Sequence, residues 1–137
     1  MADPALALQG AINLRLRAEI AAVAGRVYDR VPTGATMPYV ELGEFQSVDD
    51  GAQCLEAFEV FATLHVWSRP GDGADPGQTS GKAIAGAVHT ALHEAELDLG
   101  AGWQFLEIAH QDTRHLKDPD GVTSQSVLTF RALVAAA

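Results

Sequence analysis

Apolar side chains recur at helical spacing near the start of the chain. They repeat every three or four positions, which places them on one side of a helix: Leu8, Ile12, Leu16, Ile20 and Val23. Asp3 followed by Pro4 is a typical helix start, with a capping carboxylate before a proline at the first helical position. We therefore predict a helix over residues 4–24, ending near Gly25.

A different pattern, alternation with a period of two, follows from residue 54 and predicts a strand over 54–68. One face of this strand is fully apolar and the other is mixed. Residues 39–42 favour a short strand at a sheet edge because prolines punctuate the surrounding sequence. Residues 45–52 are predicted as a polar connection, and the run of turn residues over 69–77 as a loop.

The last third of the chain predicts one helix and a hairpin. A capped helix is expected over 80–95, because its apolar residues keep the three-to-four spacing. Strands near 103–114 and 122–134 flank turn residues typical of a hairpin. This order of elements predicts a single α+β domain over 1–137, with a largely antiparallel sheet and two helices packed on one face. One sheet face and two sheet edges then remain for water or a neighbour.

Composition narrows the class of protein. The chain has 137 residues, of which 47% are hydrophobic, so it can form a core as one domain. No stretch free of Asp, Glu, Lys and Arg exceeds 11 residues, which excludes a transmembrane helix, and no signal peptide is recognisable. The lone cysteine, Cys54, is expected to be a small buried side chain in a cytoplasmic protein.

The charge is negative and unevenly distributed. The net charge is -9, and residues 41–75 hold eight acids against one base. Nucleic-acid binding is driven by cations that displace counterions from phosphates, so we expect no sequence-specific DNA binding. The acidic segment is expected to be either a solvated surface or a surface that faces something negative without adhering to it.

Two short motifs resemble a phosphate-binding loop and a metal site, but each lacks residues that such a site needs. Residues 77–83 resemble a phosphate-binding loop, but Pro76 stands where the first glycine should be and Ala83 replaces the hydroxyl that would hold magnesium. His89 and His93 lie four residues apart on the predicted helix, as metal ligands can, yet no third ligand is evident and we expect solvated surface histidines. We therefore predict no metal, no cofactor and no catalytic residue.

A histidine and a carboxylate could still meet on the sheet for acid and base catalysis. The candidates on or beside predicted strands are His65, His110 and His115, with Glu107 and Asp112 nearby in sequence. Structural pairing on a sheet face is the favoured interpretation. A small α+β enzyme or ligand-binding module nevertheless stays open as an alternative from a different class.

Five short segments, taken in order and spacing, resemble one known family. They are residues 26–32 (RVYDRVP), 38–43 (PYVELG), 65–69 (HVWSR), the Asp120-Gly121 turn and 127–131 (VLTFR). Together they resemble the tail-terminator, or tail-completion, proteins of long-tailed phages, prophages and gene transfer agents. The resemblance covers roughly residues 5–134.

The resemblance implies a structural protein and not an enzyme. It implies a hexameric ring on the head-proximal end of the tail tube, which stops tube polymerisation and meets a head-side connector while DNA passes through without specific binding. The subunit would assemble in the cytoplasm and leave with the released particle. Another neck component, a head-completion or connector protein, is the alternative within the same machinery.

Channel contacts are expected from acids of the segment 41–75, and a partner contact from Arg69 and the loop that follows it. The candidate residues are Glu41, Glu44, Asp49, Asp50, Arg69, Asp72 and Asp75.

Overall fold

Five strands form one sheet in the computed structural model, which describes residues 3–70 and 78–137. The elements are α1 (Ala5–Glu19), β1 (Val27–Tyr28), β2 (Tyr39–Asp49), β3 (Ala57–Ser68), α2 (Thr79–Leu92), β4 (Trp103–Lys117) and β5 (Ser124–Ala136). The strand order is β1-β2-β3-β5-β4, and every neighbouring pair is antiparallel except the parallel pair of β1 and β2. The structure confirms the α+β class and the largely antiparallel sheet.

Both helices cover the same face of the sheet, which we call the core face. Alternate residues of the central strands point to it and are buried, among them Val60 and Leu64 of β3 and Leu128 and Phe130 of β5. The opposite face is not covered by either helix, and we call it the open face. The period-two pattern thus placed the apolar side of β3 correctly.

Helix α1 is shorter than the predicted helix over 4–24. Asp3 accepts a hydrogen bond from the Ala5 amide at 2.8 Å, but the helix ends at Glu19 and a short 3-10 turn follows at Ala21–Val23. The backbone of Ile20 leaves the helical region, with φ -103° and ψ 85°. The prediction was wrong here because a 3-10 turn keeps Ile20 and Val23 buried, so the apolar spacing alone does not reveal the break.

Helix α2 also ends before its predicted limit of 95. Glu94 adopts a positive φ of 58°, and its amide donates to the Ile108 carbonyl of β4 at 2.9 Å. Arg15 of α1 donates from Nε to the Ala91 carbonyl at 2.9 Å, satisfying a carbonyl in the last turn of α2. The two helices are therefore joined at this end by a side chain. Within the described residues, no helix has the length and hydropathy needed to cross a membrane.

Strand β2 is much longer than the predicted strand over 39–42, and it includes most of the expected connection over 45–52. The register with β3 shifts between Leu42 and Phe45, which marks a β-bulge. Beyond it, Phe45 packs on the core and Ser47 pairs with Val60. The bulge shifts the alternation by one position, and that shift conceals the strand in the sequence.

Strand β3 begins at Ala57, later than the predicted start at 54. Residues 50–56 form the turn between β2 and β3, with an isolated bridge between Ala52 and Leu55. Cys54 lies in this turn with a φ of 68° and is exposed. The expectation of a buried cysteine was wrong, because the chain reverses direction there instead of entering the sheet.

Strands β4 and β5 form the predicted hairpin, extended to Lys117 and Ala136 beyond the limits at 114 and 134 and starting β5 at Ser124 instead of 122. Asp120 organises the turn: its carboxylate accepts hydrogen bonds from the amides of Val122 and Thr123, each at 2.8 Å, and from Thr123 Oγ1 at 2.6 Å. The Asp-Gly chemistry seen in the sequence therefore serves the turn.

We expect Asp120→Asn to lower the urea midpoint of unfolding near neutral pH and to have a smaller effect in acid. Hydrogen bonds from Thr123 and Val122 lower the pKa of Asp120 to about 2 from its usual 3.8. Because the folded pKa is lowered, the stabilisation is present above the unfolded pKa and disappears as the pH falls towards 2. Urea midpoints at about pH 6 and about pH 2.5 measure this. Asp29→Asn, in the turn after β1, controls for the lost charge, and an undiminished Asp120 effect in acid would contradict the expectation.

Candidate interaction surfaces

Glu41 lies on the open face, where its position is fixed by a neighbouring strand. The indole Nε1 of Trp67 donates to the Glu41 carboxylate at 3.0 Å, across the β2 and β3 pair. Tyr39, two residues before, packs edge-on against Tyr28. Burial raises the pKa of Tyr39, and the Glu41 carboxylate adds to the rise. This corner of the open face is therefore an ordered patch of aromatic rings around one carboxylate.

The centre of the open face combines an aromatic ring with hydrogen-bonded and charged groups. Gln125 donates to His65 Nδ1 at 2.7 Å. Arg131 forms an ion pair with Glu59 and lies 3.9 Å from Glu107. Phe61 is half-buried opposite Arg131. The centre of the open face is therefore a mixed surface of paired charges, a hydrogen-bonded histidine and an aromatic ring.

Arg69 follows β3 directly and is held by the hairpin of β4 and β5. Its Nε donates to Thr123 Oγ1 at 2.9 Å, and its guanidinium lies 3.7 Å from Asp120. The side chain remains 57% exposed. The structure thus gives Arg69 an anchoring contact within its own chain, while its suggested role at a partner interface stays a prediction.

The other acidic candidates lie along the second half of β2, in the turn directly after it, or outside the described residues. Glu44, Asp49 and Asp50 are exposed, and within residues 3–70 and 78–137 none of them forms an ion pair. Asp49 accepts the amide of Gly51 at 2.9 Å. Asp72 and Asp75 lie outside the described residues.

The structure does not pair the candidate histidines with carboxylates for catalysis. His65 contacts Gln125, His115 contacts Ser126 Oγ at 2.8 Å, and His110 contacts Thr113 Oγ1 at 2.6 Å. By the register of β4, Asp112 and Glu107 face the open side whereas His110 faces the core side. No general acid and base pair is therefore built from these residues.

Three histidines instead form a cluster between α2 and β4. His89 stacks on His93 with ring centroids 4.9 Å apart and meets His110 edge-on at 4.5 Å, while the His110 amide donates to His93 Nδ1 at 3.0 Å. Burial lowers the pKa of His110, and its two histidine neighbours lower it further. The expectation of solvated helix histidines was wrong, since His89 in α2 and His93 directly after the helix are both half-buried. No group of three or more ligating side chains in the described part of the chain could hold a metal ion.

Packing accounts for Gly81 in the run that resembles a phosphate-binding loop. Gly81 is buried in the first turn of α2, where an added Cβ would lie 2.7 Å from Ser68 Oγ of β3. A glycine allows the helix to approach the strand this closely. Gly81 therefore serves the contact between helix and sheet.

Two further surfaces were missed in the sequence. One is a groove of about 580 Å³ on the outer side of α1, lined by Leu6 and Leu14, which are 80% and 72% exposed, and by Leu99. The other is the edge of β4 beyond His110, with which no described segment pairs and which carries Arg114 and Lys117. Exposed leucines on the outer side of a predicted amphipathic helix were the available signal for the first. The second depends on which strand lies at the sheet edge, and that requires the topology.

Comparison with known proteins identifies the family. Residues 11–135 match the family described as Tail completion protein gp17. Among solved structures, the chain is similar to a chain in "Virion of native gene transfer agent (GTA) particle", with 29% sequence identity and a TM-score of 0.85 over 98% of this chain and 99% of that chain. No curated protein matches the sequence at a significant level.

The family match covers most of the chain and confirms the resemblance seen in the five short segments. The family is structural and not enzymatic. The chain therefore belongs to the tail completion protein gp17 family and is a structural protein of a phage tail.

Proposed function

We propose that the protein is a tail terminator. Six copies form a ring on the head-proximal end of the tail tube, end its polymerisation and join the tail to the head-side connector. The match to the tail completion family along residues 11–135 carries this proposal. It is supported by the near end-to-end similarity to a chain from a gene transfer agent virion. The subunit assembles in the cytoplasm and leaves the cell as part of the particle.

The charge of the protein is compatible with DNA passing through such a ring. With a net charge of -9, the chain repels phosphates instead of releasing their counterions, so the duplex can slide without adhering. The residues proposed to face the channel or a partner are those of the acidic segment: Glu41, Glu44, Asp49, Asp50, Arg69, Asp72 and Asp75.

The proposal predicts that the purified protein limits the length of tail tubes. Tube protein is polymerised with and without it, and lengths are measured by negative-stain electron microscopy. We expect shorter tubes whose length falls as the protein concentration rises, with added density at one end only. Native mass measurement of the bound species should give six subunits.

The control is an unrelated acidic protein of similar size and charge, which should leave the length distribution unchanged. Unaltered tubes with no bound density would refute the terminator role. Binding to a head-side connector in place of the tube end would support the other neck component instead.

A further inference from the structure

We propose that neighbouring copies in the ring join through two free sheet edges, the second half of β2 in one copy and the second half of β4 in the next. This inference rests on the proposed ring and adds which surfaces meet. The occupant of each edge is a second copy of this chain.

The edge of β2 is free beyond its first residues. Strand β1 pairs with β2 only at Val40 and Glu41, so from Leu42 onward no described strand lies beside β2 on that side. Glu44 and Asp49 lie along this part, Asp50 follows directly after it, and residues 42–50 contain no base. We call this stretch, residues 42–50, the acidic edge. Backbone groups exposed along such an edge are ready to pair with another strand.

The edge of β4 is covered in its first half and free in its second. The segment after α2 covers the first half, with the Glu94 amide bonded to the Ile108 carbonyl at 2.9 Å and the His110 amide bonded to His93 at 3.0 Å. Past His110 no described segment pairs with this side of the strand. Residues 111–117, which we call the basic edge, carry Arg114 and Lys117 against one acid, Asp112.

The topology allows the two edges to meet without turning a copy over. Because β2, β3, β5 and β4 are successively antiparallel, β2 and β4 run in opposite directions at opposite sides of the sheet. A second copy in the same orientation therefore runs its β4 antiparallel to β2 of the first. Across the sheet Val48 lies level with Glu107 and Leu116 lies level with Tyr39, so the second copy must also be displaced along the strands by the nine residues from Glu107 to Leu116. This displacement brings its basic edge beside the acidic edge of the first copy. Each copy contributes two different edges, and such head-to-tail contacts form a ring when the rotation between neighbours closes and an open filament when it does not. With the copies displaced along the strands, a closed ring requires strands that are inclined to the ring axis.

The charges of the two edges and their exposed apolar residues favour pairing of the acidic edge with the basic edge. In this pairing, acids on the acidic edge of one copy lie opposite bases on the basic edge of the next. Pairing either edge with the same edge of another copy would instead bring like charges together. Val48 and Leu116 are large apolar residues that remain 38% and 42% exposed. By register with Glu59 and Gln125, both lie on the open face, so they fall on the same side of the continued sheet.

Cross-linking tests the contact directly. Cys54, the only native cysteine, is replaced by serine, and Val48→Cys and Leu116→Cys are introduced together. Within one copy these positions are three strand spacings apart, about 14 Å across the sheet alone, and also far apart along the strands, beyond the reach of a short bismaleimide. In the presence of tube protein we expect a ladder of cross-linked species up to the closed ring. Each single-cysteine variant should give no species larger than a dimer.

Charge reversal provides a second test. Glu44→Lys with Asp49→Lys, or Arg114→Glu with Lys117→Glu, should each weaken self-association on the tube at least about tenfold. The four changes together should restore it, because the charges again oppose one another. Circular dichroism and urea midpoints confirm that each variant is folded.

The outcomes separate this inference from the proposed function. If the wild-type protein forms rings but the paired cysteines cross-link no better than the single ones, the edge contact is wrong and the terminator role stands. The same holds if neither charge reversal weakens the ring. If the wild-type protein forms no ring with or without tube protein, both the proposed function and the edge contact fall.

Discussion

Replacing Phe130 by alanine is expected to lower the free energy of unfolding by about 3–5 kcal/mol. Phe130 is fully buried in the central strand β5, opposite Ala62 and in edge-on contact with the His110 ring at 5.6 Å. Removing the ring deletes buried apolar area and leaves a cavity between the sheet and the helices, because the strands on either side hold the backbone in place. Urea denaturation at neutral pH measures the loss, which is a large part of the stability of an ordinary domain.

The matched control is Phe61→Ala, which removes the same ring from the other side of the sheet. Phe61 is half-buried on the open face, so we expect a loss of about 1 kcal/mol. Equal losses for the two variants would show that the two faces are equally well packed and would contradict the assignment of core face and open face.

The second large effect is expected from Gly43→Ala at the bulge of β2. An added Cβ would lie 2.8 Å from the Thr63 carbonyl oxygen and equally close to the His65 ring. The carbonyl belongs to the neighbouring strand and cannot rotate away, so β2 must move outward. We expect a cost of about 1–3 kcal/mol in the free energy of unfolding, as is usual for overpacking.

Gly86→Ala is the control for adding one methyl group. Gly86 is exposed in α2, and an added Cβ there meets no other atom within 4 Å. Alanine favours the helix by about 0.5–1 kcal/mol over glycine, so this variant should be more stable than the wild type. If Gly43→Ala were as stable as Gly86→Ala, the close approach of the two strands at the bulge would be refuted.

The core residues could be predicted from the spacing of apolar positions, because buried positions are apolar whether the local backbone is an α-helix or a 3-10 turn. Leu8, Leu16 and Ile20 are all buried as predicted, although Ile20 lies outside α1. A 3-10 turn continues the same apolar stripe, so the sequence pattern survives the end of the helix. Helix limits, in contrast, depend on single backbone angles such as that of Glu94, which the apolar pattern does not report.

Strand β2 was only partly predictable because its alternation is interrupted. Leu42 and Phe45 both point to the core, and two residues between them occupy the bulge opposite one residue of β3. A strict period of two therefore assigns Phe45 to the wrong face and suggests a loop. If one extra residue is allowed at Gly43, the alternation of the two faces continues to Asp49. Gly43 was therefore the signal for the bulge that the sequence contained.

The acidic candidates could be named from the sequence, but the surfaces they form could not. Glu41 and Glu44 are three residues apart, yet the first is bonded to Trp67 on the open face and the second is exposed at the bulge along the free part of β2. The basic residues of β4 become relevant only once β4 is known to end the sheet. Edge positions follow from strand order, which arises from contacts between distant parts of the chain.

The indole of Trp67, which is hydrogen-bonded to Glu41, can serve as an intrinsic fluorescence probe of the open face. The chain contains two tryptophans, and only Trp67 lies on the open face. Trp103 packs edge-on against Phe58 at 6.0 Å beside the core. A protein that docks on the open face changes the surroundings of one indole and leaves the other as an internal reference. Intrinsic emission can therefore report docking on this face in the unlabelled chain.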